Sequence, residues 1–129
     1  MRPSVENVLF LHTVAIEAFG GSEGVRDLES LRAAVTRPWG SSFGRDHFPT
    51  PFDKAAALAE SIIRRHSFVD GNKRTAAYAA AYLLDTLGYE LEAEPKDLED
   101  FRRKRRPRKV RNKGHRPLVR EPYPRDMSP

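Results

Sequence analysis

The sequence predicts an all-α fold, a compact bundle of helices with at most one short β-strand or hairpin. Three observations carry this. Apolar residues recur at helical spacing in successive stretches as far as Leu87. Those stretches are divided by helix stops and starts, namely Gly20-Gly21, Asp27, Arg37-Pro38 and Gly88. Only Tyr89-Glu90-Leu91-Glu92 alternates as an edge strand would. At 129 residues the chain makes one domain with one core.

The first element runs from Ser4 to Phe19. Ser4 is a fitting N-cap, and Val5, Val8, Leu9, His12, Ile16 and Phe19 share a face. His12 on that face reads as a core or groove histidine. The second helix, Asp27 to Thr36, is capped by Asp27 and carries Leu28, Leu31 and Val35. Arg37-Pro38 should end it, because a residue before proline avoids helical angles.

Residues 38–51 form the longest irregular stretch, with Trp39, Phe43 and Phe48 out of any period. A loop this long in a compact domain is usually functional, and its aromatics could pack as a cover over a cleft. The third helix, Phe52 to Arg65, buries Ala55, Leu58, Ala59, Ile62 and Ile63, and Arg64-Arg65 complement its dipole. Lys73 to Leu87, apolar nearly all round, reads as the central buried helix, with Gly88 at its C′ position. Pro95 to Phe101 reads as the start of a further helix.

Charge divides the chain. The net +5 is the sum of a balance of −5 over residues 1–101 and +10 over residues 102–129. The block Arg102 to Arg106 opens a segment holding half of the ten prolines and few apolar residues. Such a segment cannot offset its ordering entropy by burial. We therefore expect a folded domain over 1–101 and a basic, Pro-rich tail over 102–129. That tail is either disordered, with nucleic acid as a possible partner, or the product of a shifted reading frame. There is no cysteine, hence no disulfide framework or thiolate metal site. No stretch has the length or flanks of a signal peptide or a membrane span, so we expect a cytoplasmic protein with no membrane partner.

Function concentrates in His66-Ser67-Phe68-Val69-Asp70-Gly71-Asn72-Lys73-Arg74. The segment should open onto the central helix, whose first N–H groups and dipole favour an anion, phosphate above all. Gly71 permits a positive φ and a close backbone approach. Lys73 and Arg74 oppose the dipole where they stand, a local conflict typical of a functional site. They would clamp moving phosphate charge. Asp70 could hold Mg²⁺, which favours one or two carboxylates plus phosphate oxygens. His66, of a residue type with an ordinary pKa near ~6.5, could accept a hydroxyl proton. Phe68 should plug the loop into the core, with Ser67 and Val69 as spacers. Together these parts suggest transfer of part of a nucleoside triphosphate to a hydroxyl. No GxxxxGK[ST] occurs, so this is not a Walker loop.

The spacing His66-x-Phe68-x-Asp70-Gly71-Asn72-Lys73-Arg74 resembles the signature of the Fic/Doc (Fido) superfamily. Lys73 where AMP-transferring members have glycine, and Ala77 where they have a second arginine, resemble the death-on-curing (Doc) branch. Leu11-His12, Phe19-Gly20-Gly21, Gly24-Val25-Arg26-Asp27 and Thr36-Arg37-Pro38 are similar to that branch as well. The resemblance covers roughly residues 4–100. It implies a Fido-type helical bundle with a flap over residues 38–51 that aligns a target segment by strand addition.

It further implies the toxin of a toxin–antitoxin pair, using ATP and Mg²⁺ to phosphorylate a threonine of elongation factor Tu and stop translation. His66 would be the base, Asp70 the metal ligand, and Gly71, Asn72, Lys73 and Arg74 the phosphate cradle. Family members with built-in inhibition carry an [ST]xxxE[GN] helix, which this sequence lacks; a Phd-like antitoxin in trans is implied instead. Two alternatives are a Fic-type AMP transferase and an inactive relative whose basic tail binds nucleic acid.

Overall fold

The computed structural model describes residues 2–90 and 108–109. Helix α1 spans Val5–Phe19. Its start is a reciprocal cap: the Asn7 N–H donates to Ser4 Oγ (3.1 Å), and the Ser4 N–H donates to Asn7 Oδ1 (2.9 Å). Val8, Leu11, His12, Ala15 and Ile16 form its buried face. Phe19 leaves that face: it sits in the last turn, beyond the core, and is 55% exposed.

Helix α2 spans Leu28–Thr36, with Leu31 and Ala34 buried and Leu28 largely exposed. At its start Asp27 accepts from both the N–H and the hydroxyl of Ser30. Those bonds, the hydroxyl's foremost, together with the nearby charge of Arg26, hold the Asp27 carboxyl below its usual range. Arg37 corrects the sequence reading, since it keeps helical angles (φ −55°, ψ −40°) despite preceding Pro38. The chain tightens there into a 3-10 turn, Arg37–Trp39. The Arg37 guanidinium is anchored on Ser61 Oγ (3.0 Å) and over the Phe48 ring, which holds that geometry against the local preference.

The stretch read as irregular contains a small antiparallel hairpin, β1 (Ser41–Ser42) and β2 (Arg45–Asp46), with Ser41 opposite Asp46. Phe43 and Gly44 at its tip both have positive φ (53° and 77°), the geometry of a two-residue type I′ turn. The hairpin foot is tied down by Lys54, whose ammonium donates to the carbonyl of Phe48 (2.5 Å) and stands near Asp46.

Helix α3, Pro51–Arg65, opens with a second reciprocal cap between Thr50 and Asp53. It starts slightly earlier than its apolar period, because proline is favoured in the first turn. Helix α4, Asn72–Thr86, has ten buried residues and is the central helix. Its alanines meet Ala55, Leu58, Ala59 and Ile62 of α3, and side chains this small let the two axes approach closely. After Gly88, β3 (Tyr89–Glu90) pairs antiparallel with β4 (Arg108–Lys109). Among the described residues, four helices and two short antiparallel strand pairs give the mainly helical fold that the apolar spacing predicts. The helix expected from Pro95 and most of the basic tail lie outside the described residues.

Candidate active site

The site is the connection between the two most tightly packed helices. α3 ends at His66, whose own backbone is left-handed (φ 52°, ψ 57°) and whose N–H reaches back to the carbonyls of Ile62 and Ile63. Ser67 and Phe68 then turn inward and are buried. Ser67 is more than a spacer, since its carbonyl accepts from the N–H groups of Arg26 (2.8 Å) and Asp27 (3.2 Å). Phe68 plugs into the core as its composition predicts, and it stacks on the imidazole of His12 at 3.9 Å with the rings nearly parallel.

His12 is a structural histidine, only 4% exposed, whose Nε2–H donates to the carbonyl of Asp70 (2.9 Å). It supports the loop from beneath. Asn72 closes the turn from the other side. Its Oδ1 accepts from the Phe68 N–H and its Nδ2 donates to the Phe68 carbonyl, each at 2.9 Å. The side chain of Asn72 is therefore committed to the loop. What this residue can offer an anion is its main-chain N–H at the start of α4.

A third support is the strap between α1 and α2. The Val69 N–H donates to Gly24 O (3.0 Å), Val25 bridges Phe68, and the Ser22 N–H donates to Asp70 Oδ2 (3.1 Å). Gly20-Gly21, read from sequence only as a helix stop, has this second duty. A Cβ at Gly21 would lie 2.8 Å from Asp70 Oδ2, so the strap lies against the carboxylate only because that residue is glycine. Gly71 behaves as expected: φ is 74°, and a Cβ there would lie 3.0 Å from Ile16 Cδ1.

Above this loop lies an open cleft of about 550 Å³. His66, Asp70, Gly71, Asn72, Lys73 and Arg74, all six residues singled out by the sequence, line it. Its far wall is the last turns of α1, with Ile16 and Phe19. Lys73 projects into solvent. Arg74 is held with its guanidinium carbon 3.5 Å from the Phe19 ring centroid, and Tyr78 tilts against the same ring. The exposure of Phe19 is thus explained: it is a wall and an arginine rest, which apolar periodicity alone does not distinguish from a core position.

The hairpin within residues 38–51 is the short strand pair that the predicted fold allows for, but none of the loop's residues lines the cleft. Its aromatics do not form a cover, because Trp39 and Phe48 pack against Arg2, Lys54 and Arg37, while Phe43 is fully exposed at the hairpin tip.

The donor set suits one kind of cation. Each Asp70 oxygen accepts one N–H, from Ser22 or Gly71, which leaves a lone pair on each free toward the exposed side. No cluster of three His, Cys, Asp or Glu exists among the described residues. A single carboxylate beside an anion-binding helix start fits Mg²⁺ brought in with phosphates and its own waters, rather than an all-protein cage. Such an ion would neutralise phosphate charge as it moves.

Comparison with known proteins agrees with this geometry. The Fic/DOC family model matches residues 3–84. The chain is similar to Toxin Doc of Mycolicibacterium smegmatis, with 51% identity over 77 residues. That match covers 60% of this chain and 59% of the relative, so the chain spans under two thirds of the length of the protein it matches.

Proposed function

We propose, since this chain belongs to the Fic/DOC family, that it is the toxin of a toxin–antitoxin pair and acts as a Mg-ATP-dependent phosphotransferase on a protein hydroxyl. The observation that carries this is the convergence on one open cleft of His66, Asp70 and the start of α4 with Lys73 and Arg74. The similarity to a protein named Toxin Doc supports the toxin role and a cognate, Phd-like antitoxin that neutralises it in trans.

The chemistry follows from the side chains. The N–H groups at the start of α4 and the cations Lys73 and Arg74 bind the triphosphate, with Arg74 oriented by Phe19. Asp70 would hold Mg²⁺, whose positive charge would offset that of the phosphates. His66 takes the proton from the attacking hydroxyl as the new P–O bond forms. The oxygen joining the β- and γ-phosphorus leaves with ADP. Lys73 and Ala77, in place of the glycine and arginine of AMP-transferring relatives, favour the γ-phosphoryl over AMP. A threonine of elongation factor Tu is the acceptor this reading names.

The test uses purified elongation factor Tu, Mg²⁺ and ATP labelled separately on the α- or γ-phosphate. Label from the γ position alone is the expected result. Label from the α position would make the protein an AMP transferase. No label from either would remove elongation factor Tu as the target.

A further inference from the structure

We infer that Arg26, which lies outside the cleft, is the positioning residue for His66; the inference rests on the reading of His66 as the base. Arg26 holds three successive carbonyl oxygens at the end of α3. Its Nη2 donates to Arg65 O (2.6 Å), its Nε to His66 O (2.7 Å), and its backbone N–H to Ser67 O (2.8 Å).

The need for such a hold is local. His66 occupies a left-handed conformation (φ 52°) that side-chain-bearing residues rarely adopt, and the cap is exposed rather than packed in place. The peptide before His66 is fixed by its N–H on Ile62 O and Ile63 O. The peptide after it is held by Arg26 on the His66 carbonyl (2.7 Å) and, at longer range, by the Ser67 N–H on Ile62 O (3.4 Å). With both flanking peptide planes held, the direction of the Cα–Cβ bond is set, and the imidazole is aimed at the cleft. Without the Arg26 fork only the long Ser67 N–H bond to Ile62 O holds that peptide, and the last turn of α3 can relax toward commoner backbone angles, swinging the imidazole away.

Arginine suits this task and lysine does not. A guanidinium presents Nε–H and Nη2–H as a rigid fork that meets two adjacent carbonyls, whereas an ammonium is a single point. The positive charge also complements the carbonyl end of α3. Arg26 is exposed, so its removal opens no core cavity. Arg26 is not among the residues that line the cleft.

Two readouts test this. In full-length protein with ¹⁵N-labelled histidine, NMR follows the ring resonances of His66 and His12 separately. Arg26→Ala is expected to shift the His66 ring resonances while leaving those of His12, buried beneath the loop, unchanged. If Arg26→Ala disturbs His12 as well, Arg26→Lys is read instead. It keeps the charge and stem, and the same selective change at His66 is required of it. An unchanged His66 in both variants overturns the inference.

In the transfer assay, kcat should fall by about 10²-fold with KM for ATP nearly unchanged, the cost of a misaimed group rather than of lost binding. Added ethylguanidinium should restore part of kcat to Arg26→Ala and none to His66→Ala. A rise in KM with kcat retained would overturn the assignment. Should wild-type protein transfer nothing, the proposed function fails by itself, and the NMR resonances still decide the role of Arg26.

Discussion

Asn72 gives the sharpest separation between holding the loop and touching the ligand. Asn72→Ala removes an acceptor from the Phe68 N–H and a donor from the Phe68 carbonyl, both 2.9 Å bonds to a residue that is 1% exposed. Each bond contributes about 1 kcal/mol net, and each group left dry costs about 1–3 kcal/mol. The loop is only partly covered, so water reaches some of what is lost, and a total of about 2–4 kcal/mol follows. That is a large share of the ~5–15 kcal/mol that holds a typical domain together. Urea unfolding measures it as a lower midpoint at unchanged slope. Asn72→Asp should not recover the loss, since it keeps the acceptor but turns a second oxygen toward the Phe68 carbonyl. The reasoning is refuted if Asn72→Ala stays within ~0.5 kcal/mol of wild type, the range of an ordinary surface change, while ATP affinity collapses. Asn72 would then contact the ligand through its side chain.

Other perturbations probe the remaining supports. Gly71→Ala must carry a Cβ at φ 74° against Ile16 Cδ1; a loss of about 1–2 kcal/mol in thermal stability is expected, with weaker ATP binding by calorimetry. Gly21→Ala presses on Asp70 Oδ2, so the Mg²⁺ concentration needed for half-maximal ATP binding should rise, with affinity for metal-free ATP little changed. An unaltered Mg²⁺ dependence would mean that Asp70 is not the metal ligand. The Asp27 carboxyl titrates below its unfolded value near 3.8. The unfolded chain therefore binds more protons in that window, and stability rises with pH. The contribution is complete above the unfolded value and is lost as pH falls through the folded one. Asp27→Asn should flatten the stability curve as pH falls below that unfolded value, and an unchanged slope there would contradict the assignment.

Much of this was legible in the sequence, for physical reasons that differ by element. The four helices announce themselves through period and caps, and Ser4, Asp27 and Gly71 each do what their chemistry suggests. The six site residues fall within nine positions, and a segment that short cannot scatter them far. What escaped was set by partners distant in sequence. The reach of Arg26 to Arg65 and His66 spans about forty residues, and no local pattern encodes it. The commitment of Asn72 to Phe68 depends on a turn geometry that a motif does not display. A doubled glycine at positions 20 and 21 was a usable signal, because one glycine suffices to stop a helix. The hairpin at residues 41–46 was hidden by Phe43, a bulky residue at a positive φ where Asn or Gly is usual.

The central claim is that the cleft binds nucleotide through the start of α4 while His66 acts only on the proton. The most direct measurement sets Mg-ATP affinity beside transfer rate for wild type and His66→Ala. The account predicts affinity unchanged within a factor of about three and transfer lowered by at least ~10²-fold, the contribution of a general base. Retained transfer, or affinity lost together with transfer in a variant that still folds, would contradict it.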